Sequence, residues 1–297
     1  MKVNISRGGR KVQDTIAAYT LLSPTTILLT VFYFIPLILT FINSFYQFNL
    51  ISPNRQFVGI NNYRTLLQSS NFQAAFMHTV TYALATVLFS TILALFFAVL
   101  MNQKIRGRSI YRAIFFIPVI APTVATSIVF SSIFANDNTG FANQILGSFN
   151  IQPIAWLGDP NFAMITVVAF GVWSQIGYNM VIYLAGLQNI PSMYYEAARL
   201  EGAGTWSLFR RITLPLLSNT TLFVIVVGVI GAFQVFNQVY VMTQGGPLNA
   251  TTVMVYYIYE QAFQNFNGGA ASTASAVLFL VLLVLSVVQI KFFSNKN

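Results

Sequence analysis

Long stretches without a charged side chain alternate with short clusters of basic residues along this chain. Intervals free of Asp, Glu, Lys and Arg run over 15–54, 65–103, 113–136, 160–195, 212–259 and 261–290. A charge at the centre of a bilayer is strongly unfavourable, so these intervals are where membrane spans can lie. A seventh interval, 138–158, holds Asn138-Thr139-Gly140, Asn143-Gln144, Gly147-Ser148 and Asn150 to Pro153. Such turn chemistry would strand backbone groups in lipid, and the interval is set aside. The pattern predicts six helices, near Ala17–Ser44, Phe76–Asn102, Ile110–Phe134, Phe162–Leu187, Leu214–Tyr240 and Ala270–Phe293. Each reaches the roughly 20 residues a span requires. Pro118 and Pro122 predict a kink in the third, and Asp159-Pro160 reads as the start of the fourth.

Composition agrees with this picture. Of 297 residues 56% are hydrophobic and 7% charged, far fewer charges than a water-facing surface carries. The absence of Cys excludes disulfides, thiolate chemistry and Cys-ligated metals, and the single His disfavours a His-based metal site. The net charge of +9 is spread in clusters beside apolar runs, which marks topology and not nucleic-acid binding. Lys2, Arg7, Arg10 and Lys11 precede the first helix; Lys104, Arg106, Arg108 and Arg112 follow the second; Arg199, Arg210 and Arg211 follow the fourth; Lys291 and Lys296 end the chain. Only Arg55 and Arg64 fall on the other side, so the positive-inside rule predicts both termini in the cytoplasm. The apolar stretch after Thr15 is too long for a cleaved signal and stays as the first helix. No span carries clustered carboxylates or lysines, which disfavours an intramembrane enzyme and an ion-driven carrier; no charge ring or carbonyl-filter motif marks a self-sufficient channel.

The loop between the fourth and fifth helices carries the sharpest pattern. Pro191-Ser192 opens a helix rich in alanine, Gly202 and Gly204 end it, and a second short helix is predicted from Thr205 toward Arg211. A small amphipathic helix-turn-helix on this face either seats in a partner's groove or rests on lipid headgroups. Its residues Glu196-Ala197-Ala198, Gly202, Ile212 and Leu214-Pro215 match, at seven spaced positions, the EAA loop of permease subunits from binding-protein-dependent ABC importers. The chain resembles that family, and its carbohydrate branch in particular, which includes maltose and glycerol-3-phosphate permeases. Further matches are Phe57-Val-Gly59-Ile-Asn-Asn-Tyr63, Gly186-Leu187-Gln188 with Ile190-Pro191, and Thr243-Gln-Gly245-Gly246-Pro247 with Tyr257, Tyr259 and Phe263. One departure is His78-Thr79, where relatives have Asn-Thr; a neutral His can replace that amide's hydrogen bond.

The resemblance implies an all-α membrane fold with six transmembrane helices, both termini inside, and a type I importer (MetI-like) core. The expected division is 1–70 for the amino terminus, first helix and first external loop, 71–293 for the permease core with its EAA loop at 188–215, and 294–297 for the tail. In that loop Ala197 and Ala198 would permit close approach to a cytoplasmic ATPase, Gly202 would supply the turn, and Glu196 would offer a carboxylate to an arginine of the partner. Ile212 and Pro215 complete the coupling set. Glu201 lies on a different face and is expected to be solvated, while Arg210 and Arg211 serve as topology anchors or partner contacts. Implied partners are a second homologous permease, two copies of the ATPase, an extracytoplasmic solute-binding protein, a sugar and membrane lipid, with no nucleic acid. No Gly-x-x-x-x-Gly-Lys-Ser/Thr loop occurs, so ATP would bind the partner; the resemblance implies a chain with no cofactor and no catalysis of its own. The location is a bacterial inner membrane, crossed several times.

A sugar presents hydroxyl edges and apolar faces, so its path needs amides or hydroxyls beside aromatic rings. On the fourth helix Ser174, Gln175 and Tyr178 share a face at i, i+1 and i+4; on the fifth, Gln234, Asn237 and Gln238 are expected to do the same. Both sets fall where relatives contact substrate. They line a translocation cavity or act as interhelical glue. Gly228, Gly231, Ala232 and Val235 form a second fifth-helix face that related permeases use for cargo or that only packs. The segment Thr251–Phe263 is read as a short external helix that meets the binding protein or caps its own bundle. The favoured cargo is a sugar or oligosaccharide. Glycerol-3-phosphate or another polyol is the alternative, disfavoured by the absence of Arg and Lys from the fourth and fifth helices.

Overall fold

The computed structural model describes residues 7–52, 54–103 and 106–294. Lys2, Lys104 and Lys296, used above for orientation, lie outside them. The chain begins with α1 (Arg7–Leu29), which runs through a π-helical turn, Thr30–Phe34, into α2 (Ile35–Asn43). A small antiparallel hairpin follows, β1 (Tyr46–Phe48) against β2 (Arg55–Phe57), pairing Tyr46 with Phe57. The all-α expectation did not include it. The Arg55 guanidinium lies 4.0 Å above the Tyr46 ring and donates to Asn43 Oδ1 at 2.7 Å, closing the hairpin onto the end of α2.

Then come α3 (Asn61–Gln68) and α4 (Ser70–Asn102). Among the described residues, four helical segments are long and apolar enough to cross a bilayer: Asp14–Asn43, Ser70–Asn102, Pro160–Gln188 and Gly268–Lys291. Two bent pairs reach that length together. The first pair is α5 (Arg108–Ile120) and α6 (Thr123–Ile133), which meet at 103°. The third helix is thus broken, not kinked. Pro122 cannot continue the ladder, and Ala121 before it is extended at φ −69° and ψ 139°, as a residue preceding proline must be. Pro118 stays inside α5.

Residues 138–158 contain α7 (Phe141–Ser148), far too short to span. The buried Asn143 organises this segment. Its amide nitrogen donates to the carbonyls of Ala135, Asp137 and Ile154, and its oxygen accepts from Ile154 N and Trp156 Nε1. Next is α8 (Pro160–Gln188), capped by the Asp159 carboxylate on Asn161 N at 2.8 Å. After α9 (Ser192–Leu200) and α10 (Thr205–Leu208), a second π-helical stretch, Phe209–Thr213, leads into α11 (Leu214–Leu216). This segment bends by 63° into α12 (Ser218–Phe233). The fifth helix therefore starts later than Leu214 and stops before Tyr240. It breaks at Gln234–Phe236 and resumes as α13 (Asn237–Met242). The chain closes with α14 (Met254–Tyr259), a π-helical turn at Glu260–Gln264, and α15 (Gly268–Ser294).

In lipid no hydrophobic force drives helices together, so close approach through small residues and polar bonds must hold the bundle. The chain follows that rule. Ala75, Ala83, Ala94 and Ala98 of α4 are fully buried while Leu84, Leu88, Phe89, Ile92 and Phe96 face outward. On α8, a side chain at Gly171 would strike the Tyr82 hydroxyl, and one at Gly186 would meet Thr220 Oγ1 at 2.6 Å. At Gly177 the obstacle is backbone, the Phe115 carbonyl oxygen of α5. Gly177→Ala is therefore expected to push α5 off α8 and destabilise the fold by about 1–3 kcal/mol. A thermal denaturation midpoint in detergent equal to wild type would contradict this packing.

Polar bonds fix the end of the bundle that carries α14. Thr79 Oγ1 donates to Ala75 O and accepts from Met254 N at 2.8 Å, and His78 Nδ1 lies 3.1 Å from the Thr252 carbonyl. A carbonyl only accepts, so His78 carries its proton on Nδ1. This contact ties the segment leading into α14 to α4, as the amide of relatives could. We expect His78→Asn to keep the melting midpoint, and His78→Phe to lose roughly 1–3 kcal/mol by leaving the carbonyl unpaired. Equal midpoints for the two variants would contradict that role. Tyr256 and Tyr257 are buried, Tyr257 edge-on to Phe72, so most of this short helix caps its own bundle and Phe263 alone of its marked aromatics stays 64% exposed.

Candidate functional site

The loop 188–215 forms a knob that projects from the bundle. Helix α9 ends in a Schellman motif: Gly202 N donates to Arg199 O at 3.0 Å and Ala203 N to Ala198 O at 2.9 Å. Gly202 sits at φ +83°, the left-handed region that glycine enters freely. The Tyr195 hydroxyl lies 3.0 Å from Thr213 Oγ1, which ties the helix to the returning π-helical stretch of the loop. The knob is therefore a rigid unit.

Glu196 and Ala197 are exposed, Ala198 is half-buried, Ile212 is half-buried and Pro215 is exposed. The structure adds residues the sequence reading passed over. Leu200 is 91% exposed and Met193 66%, and with Ala197 they stand at i, i+4 and i+7 on one side of α9. An apolar stripe left open on the surface is what either a docking face or a lipid-contacting face would present. The spacing was readable; what it lacked was the knowledge that this stripe turns outward.

The polar set divides. On α8, Ser174 Oγ bonds back to Gly171 O at 3.0 Å, Gln175 is half-buried, and Tyr178 is 44% exposed. Asn179 is buried and donates weakly to Ser90 of α4 at 3.4 Å, which makes it interhelical glue. At the fifth helix, the break separates the three amides expected on one face. Gln234 and Asn237 are exposed on either side of it, whereas Gln238 donates to the Tyr82 hydroxyl at 2.8 Å. Val235 is buried at 4% exposure and Ala232 completely, while Gly231 faces open space. The second fifth-helix face is thus split between packing and exposure.

Residues 90–296 match the family of binding-protein-dependent transport system inner membrane components. The chain belongs to this family. It is accordingly a multi-pass inner-membrane permease of the ABC transporter class. Among its relatives are the arabinooligosaccharide transport permease AraP of Bacillus subtilis (strain 168), 33% identical over 93% of this chain and 88% of that one. The trehalose/maltose permease MalF of Thermococcus litoralis is 33% identical, covering 95% of each chain. The sn-glycerol-3-phosphate permease UgpA of Agrobacterium fabrum is also 33% identical, over 95% of this chain and 96% of that one. Among solved structures, a chain of a bacterial ABC transporter that imports the acidic polysaccharide alginate superposes with a TM-score of 0.85 at 23% identity, covering 98% of this permease and 99% of that chain. That likeness carries the fold of the permease.

Proposed function

We propose that this permease forms, with a second permease, the membrane pathway of an importer for a neutral sugar or oligosaccharide, driven by two cytoplasmic ATPase subunits and fed by a solute-binding protein. The observation that carries the reading is the rigid, outward-facing α9 knob, whose apolar stripe Met193, Ala197, Leu200 suits a cleft in an ATPase. Closure of the ATPase pair would then turn the bundle as a rigid body between two states. With each bent pair counted as one span the chain would cross six times, so both termini and the knob would share one side, and the clustered basic residues support the cytoplasm as that side. The coupling residues are Glu196, Ala197, Ala198, Gly202, Ile212 and Pro215, and ATP binds on the partner, leaving this chain non-catalytic.

For the cargo path the exposed Tyr178, Gln234 and Asn237, with Gln175 beside them and open space at Gly231, supply amides and an aromatic face for a sugar. A helix break frees backbone groups that protein or a watery cavity must cover, which favours a cavity at Gln234–Phe236. Neither α8 nor α12–α13 carries Arg or Lys, so nothing in the path would neutralise a phosphate, and the two sugar-transporting relatives point the same way. Reconstituted vesicles decide the matter. The chain alone is expected to be inert, and the assembled transporter to take up labelled arabino- or malto-oligosaccharide on addition of ATP. Uptake of glycerol-3-phosphate in preference to both sugars would overturn the cargo assignment.

A further inference from the structure

Beside the coupling knob an apolar groove of about 540 Å³ opens on the outer surface of the bundle. One wall is Ile92, Leu95, Phe96 and Val99 of α4; the other is Trp206 and Phe209, with Thr205 at the rim. Trp206 is 71% exposed and lies against Phe209 with ring centroids 5.7 Å apart. From Ile92 to Val99 the α4 wall covers roughly 10 Å of helical rise, about a third of a hydrocarbon core some 30 Å thick. The groove therefore fits within one leaflet. Its border is chemically distinct. Arg210 and Arg211 follow Phe209 directly and are exposed, and the connector Thr205–Leu216 contains no acidic residue. An occupant that also uses these arginines must be apolar within the groove and anionic beside it. A tryptophan at the interface suits the junction between those parts.

We propose that this groove binds one anionic phospholipid, its acyl chain between α4 and α10 and its phosphate at Arg210 and Arg211. Assignment to the cytoplasmic leaflet rests on the orientation proposed above. A lipid seated there bears on the connector joining the α9 knob to α12, so its headgroup is placed to influence coupling.

The test uses the assembled transporter in mixed phosphatidylglycerol and phosphatidylcholine nanodiscs, with retained lipid read by native mass spectrometry. Wild type should retain phosphatidylglycerol selectively. An arginine near an anionic surface strengthens binding by roughly fivefold, so Trp206→Ala with Arg210→Gln and Arg211→Gln should lower that selectivity at least about 25-fold. Equal retention of the two lipids by wild type, or unchanged selectivity in the variant, would overturn the proposal. Independently, a photoreactive benzoylphenylalanine in place of Phe96 should capture lipid. Capture of the second permease there would show the groove to be a subunit interface and overturn it too. The chain has no cysteine, so Ser207→Cys with a membrane-impermeant thiol reagent reports the leaflet separately: labelling from outside would refute the orientation while leaving the lipid site to stand or fall on the mass spectrum.

Discussion

Gly202→Asp should leave the permease inserted in the membrane and abolish uptake. At φ +83° a side chain is strained, by roughly 1–2 kcal/mol for an ordinary residue, but Asp is among the few that tolerate this region. A Cβ at Gly202 meets nothing within 4 Å, so the fold has room for it. The Schellman bonds to Arg199 and Ala198 need only backbone and survive. What changes is the docking face: a third carboxylate joins Glu196 and Glu201 at the end of a stripe that must enter a cleft. Loss of such a central contact removes at least about 2 kcal/mol of association, or some 30-fold. The measurements are permease abundance in the membrane fraction, co-purification of the ATPase, and uptake of labelled oligosaccharide. Gly202→Ala, which carries no charge, should fall between the two. Normal co-purification and full uptake by the aspartate variant would remove the knob from the mechanism.

That the knob was legible in the sequence while the fifth helix was not has a physical explanation. Helix ends are written in local chemistry, and a Ser192 start with a Gly202 stop encodes α9 and its Schellman turn within eleven residues. Long helices in lipid are read from the absence of charge, which reports that a segment is apolar but not that it is continuous. Two breaks were therefore invisible or underestimated. Ala121-Pro122 was readable as a bend, yet its 103° angle depends on how α5 and α6 pack. The break at Gln234–Phe236 has no proline to announce it. The same blindness affected side-chain roles: Gln238 differs from Gln234 only in facing Tyr82, a contact 156 residues away in sequence. The hairpin β1–β2 escaped because three-residue strands give alternation too little length to register.

The break also supplies the sharpest test of the cargo path. Asn237→Leu should reduce uptake by about 10- to 100-fold, the effect of leaving a bound sugar hydroxyl without its partner. Leucine matches the amide closely in volume, and Asn237 is exposed, so packing of α13 should hold. Because the α9 knob is untouched, ATP hydrolysis stimulated by the binding protein should persist, which separates a path defect from a coupling defect. Gln238→Leu provides the contrast. It severs the bond to Tyr82 between α13 and α4, so its main effect should be a lower melting midpoint, with uptake per folded transporter much less impaired. A path residue and a packing residue one position apart should thus fail in different assays. If Asn237→Leu transports at the wild-type rate while Gln238→Leu loses transport without losing stability, the amides have exchanged roles, and the cavity faces α4 instead of opening at the break.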